Sequence, residues 1–190
     1  MSTSTQVLTF EQWLHLPETK QRYEIVDGVM YMPPPPTWVH QRIQQRINMA
    51  LSRFVEASGI GEVLTAPLDI LIQREPLRTR QPDILYLSNP KVPGDRIDDI
   101  EGIPFLELAP DLTIEVLSPS NTPAYMERKL HDYQTIGVTE CWLFDPASRT
   151  AVVIALTADE PRTVASFTVD ETLRSDLLPG FELNLQEIFR

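Results

Sequence analysis

A glutamate, Glu115, stands in the middle of an otherwise apolar run, LTIEVLS, and that placement limits the folds open to the chain. Strand alternation puts Leu112, Ile114 and Val116 on one face and Thr113, Glu115 and Leu117 on the other. Proline and turn-forming residues flank the run on both sides, so it reads as an interior strand. An ionised carboxylate buried there is costly unless a counter-charge or a metal ion meets it. The fold must bring a cation to Glu115.

Asp83 poses the same problem. It follows Pro82 at the start of DILYLS and shares a face with Leu85 and Leu87. Two carboxylates on neighbouring strands repel each other unless a cation lies between them, and a hard divalent ion such as Mg²⁺ prefers such oxygen ligands. Lys129 is the third member. It lies between Met126 and Tyr133 on the inner stripe of the helix after Glu115, where lysine would normally snorkel outward. Two readings fit this spacing. In one, the three residues form a metal-assisted catalytic site. In the other, Glu115 pairs with Lys129, Asp83 begins a strand near solvent, and nothing is catalysed.

The rest of the chain supplies the frame. Thr9 and Gln12 have capping-box spacing for a short helix that Pro17 ends. Asp27-Gly28 separates two apolar runs and predicts a hairpin. The prolines at 33–36 predict an extended connector. After Thr37, Val39, Ile43, Ile47, Leu51 and Phe54 recur at helical spacing until Gly59. The other face of that helix, with Gln41, Arg42, Gln44, Gln45, Arg46 and Arg53, reads as solvated. EVLTA, LDILI, PDILYLS and DLTIEVLS read as strands, and 89–110 as an irregular surface excursion. Asn121 or Thr122 starts a helix at Pro123 that Gly137 closes. TECWLFD and AVVIAL are further strands, and a short helix follows Asn184. The order predicts one α/β or α+β domain over 1–190, with a mixed sheet flanked by helices, an N-terminal hairpin and a C-terminal β extension.

Composition narrows the setting. A single cysteine cannot form an internal disulfide, and Cys141 lies in an apolar run as a core residue. No export signal and no membrane-spanning stretch of ~20 apolar residues is visible, so the expected setting is the cytoplasm, with no membrane partner. The formal net charge of -11 counts against strong nucleic-acid binding, which draws on Lys and Arg neutralising phosphates. The best local basic patch is REPLRTRQ, with Arg74, Arg78 and Arg80 just before Asp83.

In order and spacing, YEIVDGVMYMPPPP followed by His40, then RQPDILYLS, APDLTIEVLSPS, ERKLHDYQTIGVTECWLFDP and LPGFELNLQEIF, resemble the Uma-two family. Its members are described as restriction endonucleases of the PD-(D/E)XK superfamily. The resemblance spans nearly the whole chain, from about Leu8 onward. It implies a restriction-endonuclease-like core, often assembled as a homodimer, acting on nucleic acid, DNA in particular. Pro82-Asp83 matches the PD element and Glu115 the acidic residue of the second element. The lysine expected two positions later is Leu117 here, and Lys129 in the next helix takes its place. Glu24 matches a recurrent acid, either a further metal ligand or a group that supports the ligands, and His40 a recurrent histidine without an assigned role.

The implied mechanism is phosphodiester hydrolysis with Mg²⁺ or Mn²⁺ held by Asp83, Glu115 and the Val116 carbonyl, with Lys129 orienting water or stabilising developing charge. The alternative is a non-catalytic dimeric binding or regulatory protein that keeps the fold.

Overall fold

The computed structural model describes residues 7–17, 19, 21–94, 102, 104–157 and 159–190. The chain opens with helix α1 (Phe10–Leu14), where the Thr9 side chain and Gln12 form the expected reciprocal cap. Strands β1 (Glu24–Val26) and β2 (Val29–Tyr31) pair antiparallel across Asp27-Gly28, both at positive φ. Gly28 is required twice over there: its φ is +76°, and a Cβ would run into Val7.

Helix α2 (Trp38–Ser58) starts where the Thr37 hydroxyl accepts from the His40 N–H, and it stops at left-handed Gly59. Ile43, Ile47, Leu51 and Val55, four apart, are all buried, along with His40. Each such side chain contributes ~1.5–3 kcal/mol by leaving water, so the helix is fixed by this stripe more than by propensity.

Strands β3 (Gly61–Thr65), β4 (Asp69–Gln73), β5 (Arg78–Arg80) and β6 (Ile84–Ser88) follow, then β7 (Phe105–Leu106) and β8 (Leu112–Val116). Helix α3 (Pro123–Ile136) is capped by the Thr122 side chain and ends at left-handed Gly137. It carries the chain from β8 to the parallel strand β9 (Glu140–Asp145), the crossover that parallel pairing requires. The remaining elements are β10 (Thr150–Ala155), β11 (Arg162–Thr168), β12 (Thr172–Leu173), β13 (Leu183–Asn184) and helix α4 (Leu185–Phe189).

Among the described residues the strands form a mixed sheet in the order β11-β10-β9-β8-β6-β3, a second sheet in the order β2-β1-β5-β4-β7, and the small pair β12-β13. Glu115 therefore lies on an interior strand, as its flanks predict. Helix α2 packs on one face of the first sheet through Ile43, Ile47, Leu51 and Val55 against Ile84, Ile114, Val116 and Phe144. The opposite face, with Leu85 and Leu87, packs on Leu130 and Tyr133 of α3 and on Ile70 of β4. Cys141 is a fully buried member of that cluster.

Two elements differ from the sequence reading. RTR at 78–80 is strand β5, not an exposed basic segment, because β1 and β4 pair on either side of it. Within 89–110, the described part contains a 3₁₀ turn (Asn89–Lys91) and β7, which adds parallel to β4.

Candidate metal and phosphate site

Strands β6 and β8 run antiparallel with Ile84 opposite Ile114 and Leu85 opposite Thr113. One further step in that register sets Asp83 across from Glu115. Asp83 does not continue the ladder; its side chain crosses to β8 instead, where Oδ2 accepts the Val116 N–H at 2.7 Å. The same oxygen lies 3.2 Å from His40 Nε2, and Oδ1 lies 2.5 Å from Arg22 Nη1. The Asp83 carbonyl accepts from Gln44 Nε2 at 2.9 Å, tying this corner to α2. Burial opposes ionisation of Asp83, yet the His40 hydrogen bond, the Arg22 charge and the Val116 amide together hold its carboxyl well below the usual range.

Glu115 is buried on the same side. Lys129 Nζ, at 2.8 Å, and the Tyr133 hydroxyl, at 2.6 Å, both use its Oε1. Among the described residues Oε2 carries no such bond. Burial pushes the Glu115 carboxyl up; the Lys129 charge pulls against this, and the nearby Asp83 charge adds to it. These two acids thus respond in opposite directions to one shared setting.

Lys129 is 2 % exposed, so its ammonium does not snorkel. It reaches Glu24 Oε1 and Glu115 Oε1, each at 2.8 Å, and lies 3.5 Å from the Gln81 carbonyl. Burial disfavours its charge, but the two carboxylates outweigh burial and raise its pKa. It is a fixed cation and a hydrogen-bond donor.

Glu24, expected as a metal ligand or a supporting acid, has both oxygens engaged. Oε1 accepts from Lys129 and the Gln81 N–H; Oε2 accepts from Arg80 Nη1 at 2.8 Å and from the Tyr125 hydroxyl. Despite its burial, the Lys129 and Arg80 charges lower its pKa to about 2. This saturated carboxylate positions Lys129.

Behind it lies a second ion network. Arg80, fully buried, pairs with Glu24 and, through Nη2 at 2.6 Å, with Asp132 of α3. Asp132 also pairs with Arg78 at 2.7 Å, and Asp27 pairs with Arg78 and Arg128. The basic patch expected at Arg74, Arg78 and Arg80 is therefore overturned. Arg80 cannot reach a phosphate, Arg78 is held by two aspartates, and Arg74 pairs with Glu107 and lies over the Phe10 ring.

Asp83, Glu115, Lys129, Arg22, His40 and Glu24 all line one open groove of about 1310 Å³. Its walls include the prolines at 33–36, the first turns of α2, and the loop 118–121. The α2 face read as solvated, with Gln41, Arg42, Gln44 and Gln45, lines this groove. No group of three His, Cys, Asp or Glu side chains arranged to hold a metal occurs among the described residues.

Sequence reasoning missed Arg22, which lies outside any helix or strand and has no periodicity to mark it. It also missed Asp132, although Asp132 is three residues beyond Lys129 and so on the same face.

The family model described as "Uma2: Putative restriction endonuclease" matches residues 9–186. The chain belongs to the Uma2 family. Its fold is also that of "a putative nuclease belonging to DUF820" from Anabaena variabilis ATCC 29413, known from a crystal structure, with a TM-score of 0.77. The two chains are 23 % identical over 96 % of this one and 97 % of that one, so the likeness shows the fold. No curated protein matches the chain. For this Uma2 member, no described helix is long and apolar enough to cross a membrane.

Proposed function

We propose that the protein is a metal-dependent nuclease that hydrolyses phosphodiester bonds, with DNA as its substrate. One observation carries this reading: a buried, charged lysine is clamped between two carboxylates on the wall of an open groove that Asp83 also lines. A structural ion pair has no need of a groove.

The donor set suits Mg²⁺ or Mn²⁺. Asp83 and Glu115 offer hard oxygens from adjacent strands, Glu115 Oε2 is without a bond among the described residues, and an ion such as Mg²⁺ is commonly held by only one or two carboxylates plus waters. The Val116 carbonyl is the third protein ligand in this reading. When bound, the ion makes a coordinated water acidic and draws charge from the phosphate.

The chain's own residues do the rest. Val116 N–H and His40 fix the Asp83 carboxylate and keep it ionised. Glu24, itself saturated, holds Lys129 at one point while Glu115 holds it at a second. Lys129 keeps its proton, so it acts as a donor to the attacking water or to the developing phosphate charge, not as the base. Tyr133 fixes the rotamer of Glu115 from below.

The competing reading, a non-catalytic binding protein, draws on the extensive pairing of the site's charges and the net charge of -11. Incubation with single- and double-stranded DNA at low salt separates the two. The nuclease reading expects slow cutting with Mg²⁺ or Mn²⁺ and none with EDTA, with Asp83→Ala and Glu115→Ala both inactive. Lys129→Ala keeps metal binding and loses most of the rate, as for a group acting in the transition state. Uncut DNA under all these conditions favours the binding protein.

A further inference from the structure

Among the described residues, Arg22 is the one cation at the carboxylate pair that does not come from a helix or strand. Its Nη1 bonds Asp83 Oδ1 at 2.5 Å and its Nη2 bonds the Gln81 carbonyl. Its side chain is 26 % exposed, against 3 % for Lys129 and 2 % for Asp83. The guanidinium thus reaches the acids from the groove, and its charge acts on Glu115 and Glu24 as well as on Asp83. Lys129, nearly free of solvent contact, holds Glu115 Oε1.

We propose that Arg22 is a displaceable stand-in for the metal ion and, once displaced, a phosphate ligand for the substrate. The inference rests on the metal-site reading above. The guanidinium already lies on Asp83 Oδ1 at 2.5 Å, so a divalent ion that takes this oxygen meets a like charge there and competes with it. Without Arg22, Lys129 on Glu115 Oε1 is shared with Glu24, and Arg22 relieves the remaining repulsion of the carboxylate pair while the ion is absent. A released guanidinium remains tethered at the groove wall beside the site, and its planar fork matches two phosphate oxygens. In a protein of net charge -11, a cation freed only on loading makes nucleic-acid binding depend on the ion.

The signature is a pair of effects of opposite sign from one substitution. Arg22→Gln removes the charge and leaves a shorter, neutral polar side chain. By calorimetry with MnCl₂ alone, it should bind Mn²⁺ about tenfold tighter than the parent, the gain expected if the site is open roughly a tenth of the time with Arg22 present. By fluorescence anisotropy with labelled DNA in Ca²⁺, it should bind DNA several-fold more weakly, with the salt slope reduced by about one. Arg22→Lys keeps the charge and should stay near the parent in both. Melting curves verify that each variant is folded.

Glu115→Gln separates the two levels of the argument. If it loses Mn²⁺ binding while Arg22→Gln binds no tighter than the parent, the stand-in role is wrong and the metal site stands. If Glu115→Gln binds Mn²⁺ as the parent does, the metal-site reading fails and takes the inference with it. Tighter Mn²⁺ binding with unchanged DNA affinity in Arg22→Gln overturns the phosphate role.

Discussion

Arg80 and Arg22 mark two regions of one charged interior that are built on opposite plans. Arg80 is anchored on strand β5, has no exposed surface, and spans two carboxylates, Glu24 and Asp132, which are themselves shared with Lys129 and Arg78. Arg22 hangs from an irregular segment, is a quarter exposed, and bonds one carboxylate directly. In the inner network Glu24 and Asp132 each meet two cations and the fully buried Arg80 meets both acids, so Arg80 cannot change partner without unpairing a buried charge. At the groove, Asp83 and Glu115 crowd each other, and one of the compensating cations is reachable from solvent. Saturation makes a brace; crowding with a removable counter-ion makes a site.

The largest expected effect lies in the brace. Asp132→Ala strands the buried Arg80 with one partner fewer and leaves Arg78 with Asp27 alone, and it should cost roughly 3–5 kcal/mol in denaturant unfolding, the usual result of breaking a buried pair from one side. A loss under about 1 kcal/mol would mean the inner network is no more than a surface pair in effect, and the contrast would collapse.

The groove should respond to an ion where the brace does not. With Mn²⁺ at a hundred times its Kd, the parent should gain ~2.7 kcal/mol, because the ion binds only the folded site. Glu115→Gln should abolish that gain. Without metal, the same variant should be slightly more stable than the parent, by about 1 kcal/mol or ~2–4 °C. The pH dependence has a definite sign. The Glu115 carboxyl is raised in the fold, so its contribution is fully present below its ordinary value of 4.5 and is lost as pH rises through the folded value. The variant's advantage should appear at pH 7 and vanish near pH 4. An advantage that grows toward acid would assign Glu115 to the brace.

Much of this contrast can be read before any coordinates. Glu115 and Lys129 betray themselves because each breaks an apolar stripe, and a broken stripe requires a partner. Asp83 is legible from its place at the head of an apolar strand. The hairpin, the capping residues and the two long helices follow from local chemistry that acts within a few residues. What local pattern cannot show is which distant charges meet. Arg78 and Arg80 look like a basic surface patch in sequence, yet β5 is walled in by β1 and β4, and Glu24 comes from 56 residues away to neutralise Arg80. Arg22 has no periodic neighbours at all, so its position at Asp83 depends entirely on tertiary structure. Tyr133 is correctly placed on an apolar stripe, but its hydroxyl finds Glu115 because a buried tyrosine oxygen needs a partner.

Anomalous diffraction from crystals soaked in Mn²⁺ decides whether Asp83 and Glu115 form one cation site. A single strong peak is expected between the two carboxylates, beside the Val116 carbonyl, and absent from Glu115→Gln crystals soaked in the same way. No peak there in the parent, or an equal peak in the variant, would contradict it.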